Sequence, residues 1–299
     1  MPASIYLIGD PVAHSLSPAF QNAALRALNI DMVYKAVRVE HSELGGFLES
    51  LRGSGAVGAN ITVPHKVAAV GQMDSLERSA SVTGAVNTVV VRDGRLRGAN
   101  TDVAGFLAAL AEFAPDGLVR PSALVLGAGG AARAVIWALV SIQAVKEITV
   151  SSRDPEKVQL ILNMVRAGLG RTGGSMPGFT TVQQPETVGP ATRERLGLVV
   201  NATPLGMGQH VEESPLSGFE GMPPDALVFD LTYGNPENRL LREARQHGLA
   251  TCNGLSMLLH QGAASFNQWT GREAPLEVMR DALAEYIGPQ SHPPEGQHR

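Results

Sequence analysis

The chain has 299 residues, of which 17% are charged, and its formal net charge is −4. This length exceeds the commonest size of a single domain and fits two compact domains, each able to bury a core. The charge balance indicates no broad basic surface for nucleic acid or an anionic membrane. We therefore expect a small-molecule ligand, with no nucleic-acid and no membrane partner.

The cysteine count, the histidine spacing and the apolar runs indicate the cellular compartment and whether the protein binds a metal. The single cysteine, Cys252, excludes an internal disulfide and fits a reducing cytoplasm. No apolar run reaches transmembrane length and no charged leader precedes an apolar block, so we expect a soluble, cytoplasmic protein. The eight histidines lack helical ligand spacing, and we expect no metal site. The sequence leaves open whether the chain is a monomer or a homodimer.

Strand-like and helix-like runs alternate along the first third of the chain. Short apolar runs are predicted as strands at residues 5–8, 32–37, 59–62 and 88–91. Helical patterns at 19–28 and 42–51 separate them, and residues 92–95 are typical of a turn. This alternation predicts an α/β fold.

Two loop segments end on ionisable groups. Lys66 closes the run 60–66 and Asp102 closes the run 98–102, each after a short apolar stretch. Such positions suit two strand ends that deliver polar side chains to one cleft. An amine and a carboxylate so placed can move a proton, although a Lys and an Asp in loops more often form a solvated ion pair.

A helix predicted at 101–113 leads to the proline-marked connection 115–121, where we place the first domain boundary. The alternation then repeats, with later strands at 198–201 and 226–230. The glycine-rich stretch 168–178 is expected to be a loose loop. The tail 288–299, rich in Pro, Gln and His, is expected to be disordered.

A glycine turn opens this second half. It follows the strand-like run 123–126 and enters a helical pattern at 134–139, the order that a dinucleotide-binding fingerprint requires. The turn comprises Gly127, Gly129, Gly130, Ala131 and Ala132. The first glycine permits the tight turn, the second lets a pyrophosphate approach the backbone, and the final alanine allows close helix packing. The helix N-terminus offers free N–H groups to the phosphates.

The next predicted strand indicates which dinucleotide is bound. It ends on Ser152 and Arg153 without the carboxylate that would hold a ribose 2′-hydroxyl. A guanidinium there suits a 2′-phosphate, so NADP is favoured over NAD. Asp154 opposes this preference and Lys157 can offset it, which leaves NAD possible.

Seven ordered blocks carry a family resemblance, and they are residues 9–18, 60–66, 84–88, 98–102, the glycine turn, 201–207 and 253–261. Together they resemble the shikimate dehydrogenases, or close shikimate/quinate dehydrogenase relatives, from Tyr6 to about Ile287. The resemblance implies NADPH-dependent, reversible reduction of 3-dehydroshikimate to shikimate in aromatic amino-acid precursor biosynthesis. Some members of the family also oxidise quinate or use NAD.

The resemblance also implies an architecture. It predicts an α/β protein with an N-terminal substrate domain and a Rossmann-type NADP-binding domain, with helices at 254–270 and 276–287 returning to the first. The substrate domain then comprises residues 1–114 and 255–287, and the dinucleotide-binding domain comprises residues 115–254.

Residue roles follow from the same resemblance. Lys66 and Asp102 are assigned to catalysis. The implied substrate ligands are Ser15 and Ser17 for the carboxylate, Asn60, Thr62, Asn87 and Gln261 for the hydroxyls, and Tyr233 lining the site. Beyond the glycine turn, the implied cofactor ligands are Ser152, Arg153, Lys157, Thr203, Gly254 and Met257.

Several alternatives remain open from sequence. Ser15 and Ser17 can be plain helix caps, and Tyr233 can be a packing residue. Family members usually have glycine where this chain has Ser256, and a hydroxyl there is expected to reshape the nicotinamide face of the pocket. A quinate-preferring or amino-analogue enzyme, and a nucleotide-sensing relative without turnover, are the alternative functions.

Overall fold

Two six-stranded sheets organise the part of the chain that the computed structural model describes, which is residues 2–170, 173–234 and 237–287. The strands are β1 (Ala3–Gly9), β2 (Met32–Arg38), β3 (Gly58–Ile61), β4 (Ser75–Leu76), β5 (Thr88–Arg92), β6 (Arg95–Ala99), β7 (Ser122–Leu126), β8 (Glu147–Ser151), β9 (Gly178–Val182), β10 (Leu198–Asn201), β11 (Leu227–Asp230) and β12 (Ala250–Cys252). The helices are α1 (Ser17–Ala27), α2 (Leu44–Leu51), α3 (Arg78–Thr83), α4 (Asp102–Phe113), α5 (Gly130–Ser141), α6 (Pro155–Gly170), α7 (Pro190–Arg193), α8 (Arg239–Gln246), α9 (Leu255–Thr270) and α10 (Leu276–Ile287).

The first sheet is mixed and has the order β2-β1-β3-β5-β6-β4. β1 pairs in parallel with β2 and β3, whereas β3, β5 and β6 form an antiparallel run. The turn between β5 and β6 contains Asp93 and Gly94, both with positive φ, of 52° and 69°. This left-handed backbone suits a two-residue hairpin turn that follows the twist of its strands. The turn predicted at residues 92–95 is confirmed.

The second sheet is entirely parallel and has the order β12-β11-β10-β7-β8-β9. Its central strands are fully buried, as expected for strands covered by helices on both faces. The chain starts at β7, adds β8 and β9 on one side, and returns to add β10 to β12 on the other. The order therefore reverses between β7 and β10, where ligands bind in such sheets. The predicted α/β fold with a Rossmann-type half is confirmed.

The last two helices pack on the first sheet and its helix α1. A Cβ on Gly262 of α9 would lie 2.5 Å from the Phe20 ring of α1, so the helices touch backbone against ring. The Trp269 indole of α9 donates to the Val89 carbonyl of β5 at 2.9 Å. Met279 of α10 is buried in the same apolar cluster as Phe20. The domain boundaries at 114/115 and 254/255 remain a prediction.

Helices that cover the two sheets also contact each other, and we call the contact of α3 with α5 and α6 the seam. Gly168 of α6 lies so close to Trp137 of α5 and Val82 of α3 that a Cβ would meet these side chains at 2.6 and 2.7 Å. The loop predicted at 168–178 is therefore wrong at its start, because the first three of these residues complete α6. Its end also differs, since β9 begins at Gly178.

The predicted disordered tail lies outside the described residues. Within the described ranges, no helix is both long enough and apolar enough to cross a membrane.

Candidate active site

Lys66 and Asp102 form a close ion pair at one end of the first sheet. The Lys66 Nζ lies 2.6 Å from Asp102 Oδ2. Lys66 is in the loop that follows β3, and Asp102 opens α4, three residues after β6 ends. The Asp102 side chain is 5% exposed and that of Lys66 17% exposed. The predicted meeting of the two groups is thus present, and it is a largely buried pair rather than a solvated surface one.

Asn87 and Gln261 complete the surroundings of the pair. The Asn87 Nδ2 donates to Asp102 Oδ1 at 2.8 Å and to Gln261 Oε1 at 3.2 Å. The orientation of the Asn87 amide is fixed, because the backbone N–H of Thr101 donates to its other atom, Oδ1, at 2.7 Å. α4 and α9 approach closely enough that a Cβ on Gly105 would lie 2.6 Å from the Gln261 Cβ.

The two predicted carboxylate ligands lie beside two tyrosines, of which Tyr34 is buried and Tyr233 is partly buried. The Ser15 hydroxyl interacts with the Tyr233 phenol, and the Ser17 hydroxyl interacts with the Tyr34 phenol. Burial raises the pKa of Tyr233, and the negative charge of Asp102 raises it further. Ser15, Tyr233 and Asp102 therefore belong to one site. The helix-cap alternative stays open for Ser15, because its Oγ accepts from the backbone N–H of Ser17, the first residue of α1, at 3.3 Å, although the N-cap residue Leu16 offers no side-chain cap.

Asn60 and Thr62 occupy different positions in this site. Asn60 is 5% exposed, and its Nδ2 donates to the Asn87 carbonyl at 3.0 Å while its Oδ1 accepts from the Tyr34 hydroxyl at 2.8 Å. The amide is thus engaged within the protein. Thr62 is only partly buried, and its methyl packs against Gly9, where a Cβ would lie 2.4 Å away. Thr62 is the more accessible of the two.

The glycine turn lies directly beside Lys66. Gly127 has φ 107°, and a Cβ there would also lie 3.0 Å from the Ala202 carbonyl, so only glycine fits. A Cβ on Gly129 would meet nothing within 4 Å, which leaves the space over the turn open. A Cβ on Gly130 would lie 3.4 Å from the Lys66 Cβ.

The segment that carries Thr203 is supported from behind by a buried carboxylate. Thr203 Oγ1 donates to Asn201 Oδ1 at 2.7 Å, and Asn201 Nδ2 donates to Asp230 Oδ1 at 3.0 Å. Asp230 also accepts from Asn238 Nδ2 at 2.8 Å. Burial raises the pKa of Asp230. These bonds hold Thr203 against Gly127, so the two predicted cofactor residues lie together.

Gly254 and Met257 lie at the start of α9. A Cβ on Gly254 would lie 2.2 Å from the Leu231 carbonyl, and its N–H donates to the Thr232 carbonyl at 3.0 Å. Met257 is buried in one apolar cluster with Ala132 of the glycine turn. Both residues are thus adjacent to the nucleotide-binding half of the site.

Next to Arg153, the Asp154 carboxylate caps α6 and is paired with Lys157. Asp154 Oδ1 accepts from the backbone N–H of Glu156 at 3.1 Å and of Lys157 at 3.2 Å, the pattern of a helix cap at the start of α6. These bonds and the Lys157 ammonium hold the pKa of Asp154 below its usual value. Arg153 itself is exposed. Ser152 Oγ accepts from the Asp154 N–H at 3.2 Å.

Ser256 makes a contact that its position in the sequence did not indicate. Its hydroxyl donates to Glu112 of α4 in a short hydrogen bond. The same carboxylate lies 2.8 Å from His260 Nε2 and 3.1 Å from Arg280 Nη2. The Ser256 hydroxyl is therefore used to join α9 to α4 and α10.

Sequence reasoning did not single out several polar residues that contribute to this region. They are Tyr34, Thr88, Thr101, Arg133 and Ser265. Arg133 lies in the first turn of α5, and its Nη1 donates to the Thr83 carbonyl at 3.4 Å across the seam to α3. Burial lowers the pKa of Arg133. A signal was available for Thr88 and Thr101, because they lie inside the blocks 84–88 and 98–102 that carry the family resemblance, whereas Tyr34 and Ser265 carried none.

A parallel sheet with a dinucleotide-type strand order places its glycine turn beside a polar pocket that contains a paired amine and carboxylate. This arrangement defines a two-domain dehydrogenase of the kind that uses a nicotinamide dinucleotide.

Comparison with known proteins gives the family. Residues 7–89 match the shikimate dehydrogenase substrate binding domain, and residues 254–284 match the shikimate 5′-dehydrogenase C-terminal domain. The NADP⁺ shikimate dehydrogenase of Symbiobacterium thermophilum is 42% identical, with 92% of each chain covered. The chain belongs to the shikimate dehydrogenase family.

Solved structures agree with this assignment. A shikimate dehydrogenase in complex with NADP⁺ superposes with a TM-score of 0.84 at 32% identity, covering 96% of each chain. A quinate dehydrogenase from Corynebacterium glutamicum in complex with NAD superposes with a TM-score of 0.81 at 30% identity, covering 94% of this chain and 98% of the other.

Proposed function

We propose that this chain catalyses the reversible, NADP-dependent reduction of 3-dehydroshikimate to shikimate, a step in aromatic amino-acid precursor biosynthesis. One observation carries the proposal: the Lys66–Asp102 pair, closed to 2.6 Å, lies directly against the glycine turn. The amine that can exchange a proton with a substrate oxygen is thus next to the site of the dinucleotide. The relatives that match over most of the chain are NADP⁺ shikimate dehydrogenases.

The residues present fit an NADP molecule. The turn beginning at Gly127 is open over Gly129, and no side chain caps the start of α5, so its first N–H groups remain for a pyrophosphate. Arg153, exposed at the end of β8, suits the 2′-phosphate. When bound, the nicotinamide supplies or accepts the hydride. Thr203, Gly254 and Met257 are the residues proposed to border it.

The substrate carboxylate is proposed to bind to Ser15 and Ser17. Their hydroxyls lie at the start of α1, beside two phenols that are also hydrogen-bonding groups. Hydroxyls hold a carboxylate without a neutralising cation, which leaves Lys66 for the opposite end of the ring. Gln261, Asn87 and Thr62 are proposed to contact the ring hydroxyls.

Lys66 is proposed to exchange the proton. When a hydride reaches the carbonyl carbon, negative charge develops on the oxygen, and a donor within hydrogen-bond reach must protonate it. Asp102 Oδ2 holds the Lys66 Nζ at 2.6 Å, so the amine is oriented to donate a proton in the reductive direction. In the oxidative direction the amine takes the proton back. Asn87 holds the other oxygen of Asp102, so the carboxylate keeps its orientation throughout.

The test is an assay of the full chain with shikimate and NADP⁺, followed at the NADPH absorbance band. Quinate replaces shikimate and NAD⁺ replaces NADP⁺ in parallel reactions. We expect the highest kcat/KM for shikimate with NADP⁺. A higher kcat/KM for quinate would move the chain to the quinate-preferring alternative. Binding of NADP⁺ without turnover of either acid would instead support the nucleotide-sensing alternative.

A further inference from the structure

We propose that the buried hydroxyls of Ser265 and Thr88 are positioning residues for the catalytic carboxylate. They belong to a directional hydrogen-bond chain that runs from Tyr34 through Asn60, Ser265, Thr88 and Asn87 to Asp102; we call this the hydroxyl chain. The inference rests on the proposed function, because it assigns a role in the proton step. Ser265 and Thr88 do not contact the reacting atoms; they act through Asn87.

The direction of the hydroxyl chain is fixed first at Asn60. The backbone carbonyl of Asn87 can only accept a hydrogen bond. The Asn60 side-chain atom that lies 3.0 Å from it is therefore the nitrogen, Nδ2. The other atom is therefore Oδ1, and the Tyr34 hydroxyl at 2.8 Å must donate to it. The remaining Nδ2 proton has two acceptors within reach, the Ser265 Oγ at 3.1 Å and the Thr88 Oγ1 at 3.3 Å, and the shorter contact is to Ser265. Ser265 thus accepts from Asn60.

The direction is fixed a second time at Asn87. The backbone N–H of Thr101 can only donate, so the Asn87 atom 2.7 Å from it is Oδ1. The Thr88 hydroxyl lies 2.8 Å from the same oxygen and must also donate to it. Since the Thr88 proton is committed, the 2.8 Å contact between Thr88 Oγ1 and Ser265 Oγ needs the Ser265 proton. The Gln261 backbone carbonyl and the Thr101 hydroxyl, each at 3.0 Å, are the alternative acceptors of that proton.

The consequence reaches Asp102 through the Asn87 amide. With Oδ1 held by Thr88 and Thr101, Nδ2 points at Asp102 Oδ1 and leaves Asp102 Oδ2 to Lys66. A flipped amide would present its oxygen to the carboxylate and repel it. Ser265 and Thr88 are both fully buried. In such surroundings hydrogen bonds are strong and unpaired groups are costly, so the hydroxyls hold the amide firmly.

The hydroxyl chain joins segments that are far apart in sequence. Ser265 lies on α9, 205 residues from Asn60 on β3 and 177 residues from Thr88 on β5. It lies one turn after Gln261, whose own amide oxygen also receives a bond from Asn87. One hydroxyl therefore fixes α9 and the strand ends relative to each other at the site.

The experiment compares two substitutions of Thr88 that separate the hydroxyl from the methyl. Thr88→Val keeps the shape and removes the hydroxyl, whereas Thr88→Ser keeps the hydroxyl and removes the methyl. We expect Thr88→Val to lower kcat about tenfold, the scale of one lost hydrogen bond in a buried network, with the KM for NADP⁺ unchanged. Thr88→Ser is expected to recover most of that loss. If Thr88 only packs, the order reverses, because the serine variant leaves the cavity.

Ser265→Ala provides an independent second variant, also expected to lower kcat about tenfold. The double variant with Thr88→Val should lower kcat little more than the worse single variant does, because both substitutions break the same hydroxyl chain. Additive losses would overturn the inference. The matched control is Thr270→Val, since Thr270 lies on the same helix and its hydroxyl makes an equivalent bond to the Phe266 carbonyl, at 2.8 Å, outside the hydroxyl chain. It should leave kcat unchanged.

The outcomes separate the inference from the proposed function. A wild-type chain that fails to oxidise shikimate with NADP⁺ contradicts the proposed function. An active wild type whose Thr88→Val and Ser265→Ala variants keep kcat within about twofold contradicts the inference alone. Urea unfolding of each variant shows whether a loss comes from the folded protein. A kcat loss matched by Thr270→Val would indicate a general effect of α9 and also overturn the inference.

Discussion

Lys66 packs against Gly130, so that a Cβ on the glycine would lie 3.4 Å from the lysine Cβ. This contact joins a loop of the first sheet to the nucleotide-type turn of the second. It places the amine between the open space over the turn and the buried Asp102. The proposed proton-transfer group and the proposed dinucleotide site are thus brought together by packing within the protein itself.

The pair itself gives the first prediction. Lys66→Ala and Asp102→Ala should each lower kcat about a hundredfold or more, the usual scale of general acid–base catalysis. The double variant should cost little beyond the worse single change, because the two groups act as a unit. NADP⁺ affinity, measured by fluorescence titration, should stay near that of the wild type. Lys35→Ala, at an exposed lysine of β2, is the matched control.

The pH dependence of kcat for Lys66→Ala can contradict this prediction. If the Lys66→Ala variant keeps kcat within a few-fold of the wild type at every pH tested, proton transfer belongs to another group.

The second prediction concerns the acid group of the substrate. Ser15→Ala combined with Ser17→Ala should raise the KM for shikimate far more than it lowers kcat, because a carboxylate remote from the reacting carbon contributes mostly uniform binding. Each hydroxyl is expected to contribute about 1.5–3 kcal/mol, as a hydrogen bond to a charged group. Steady-state kinetics measure the split, with the exposed Ser50→Ala as control. A collapsed kcat with unchanged KM would assign these serines to the chemistry instead.

The local sequence pattern predicted those parts of the fold and site that are formed by residues close together in the chain. The β7–turn–α5 unit is encoded within about twenty consecutive residues, and its apolar runs and small residues have few other solutions. Lys66 and Asp102 could be paired from sequence because each follows a strand end.

The remaining features depend on contacts between distant segments. Neither Tyr34 nor Ser265 has a sequence neighbour that marks it as part of the site; each acquires its role by meeting Asn60. Ser256 was assigned to the nicotinamide face by its position alone. In the structure its hydroxyl donates to Glu112, 144 residues away, and its effect on the nicotinamide face stays a prediction. No period or motif encodes such pairings, because they depend on how α9 packs against α4 and against the strands of the first sheet.

The third prediction concerns Cys252. Burial, together with the negative charge of Glu112, raises the pKa of this thiol to about 12. Because the thiolate is the reactive form, alkylation of the folded chain by iodoacetamide should be slow at pH 8 and should quicken about tenfold per pH unit above it. The urea-unfolded chain, with a thiol pKa of about 8.5, should react rapidly at pH 8. Equal rates in the two states would show that Cys252 is neither buried nor perturbed.

The last prediction concerns the choice of dinucleotide. Arg153→Ala should raise the KM for NADP⁺ about tenfold or more and leave that for NAD⁺ nearly unchanged, since only NADP⁺ offers a phosphate to the guanidinium. Asp154 requires a substitution that keeps its helix cap, because its Oδ1 accepts from two backbone N–H groups. Asparagine caps equally well and carries no charge.

Asp154→Asn should therefore lower the KM for NADP⁺ without destabilising α6, by removing a like charge near the 2′-phosphate and freeing Lys157 from its 3.2 Å ion pair. Arg166→Ala, at an exposed arginine further along α6, is the control for general loss of positive charge. Steady-state kinetics with both cofactors measure the preference for NADP⁺ over NAD⁺. Thermal unfolding shows whether the helix cap of α6, and with it the stability of the protein, is kept. Equal losses for NADP⁺ and NAD⁺ in Arg153→Ala would leave Arg153 only a stacking role against adenine, and the preference for NADP⁺ would need another source.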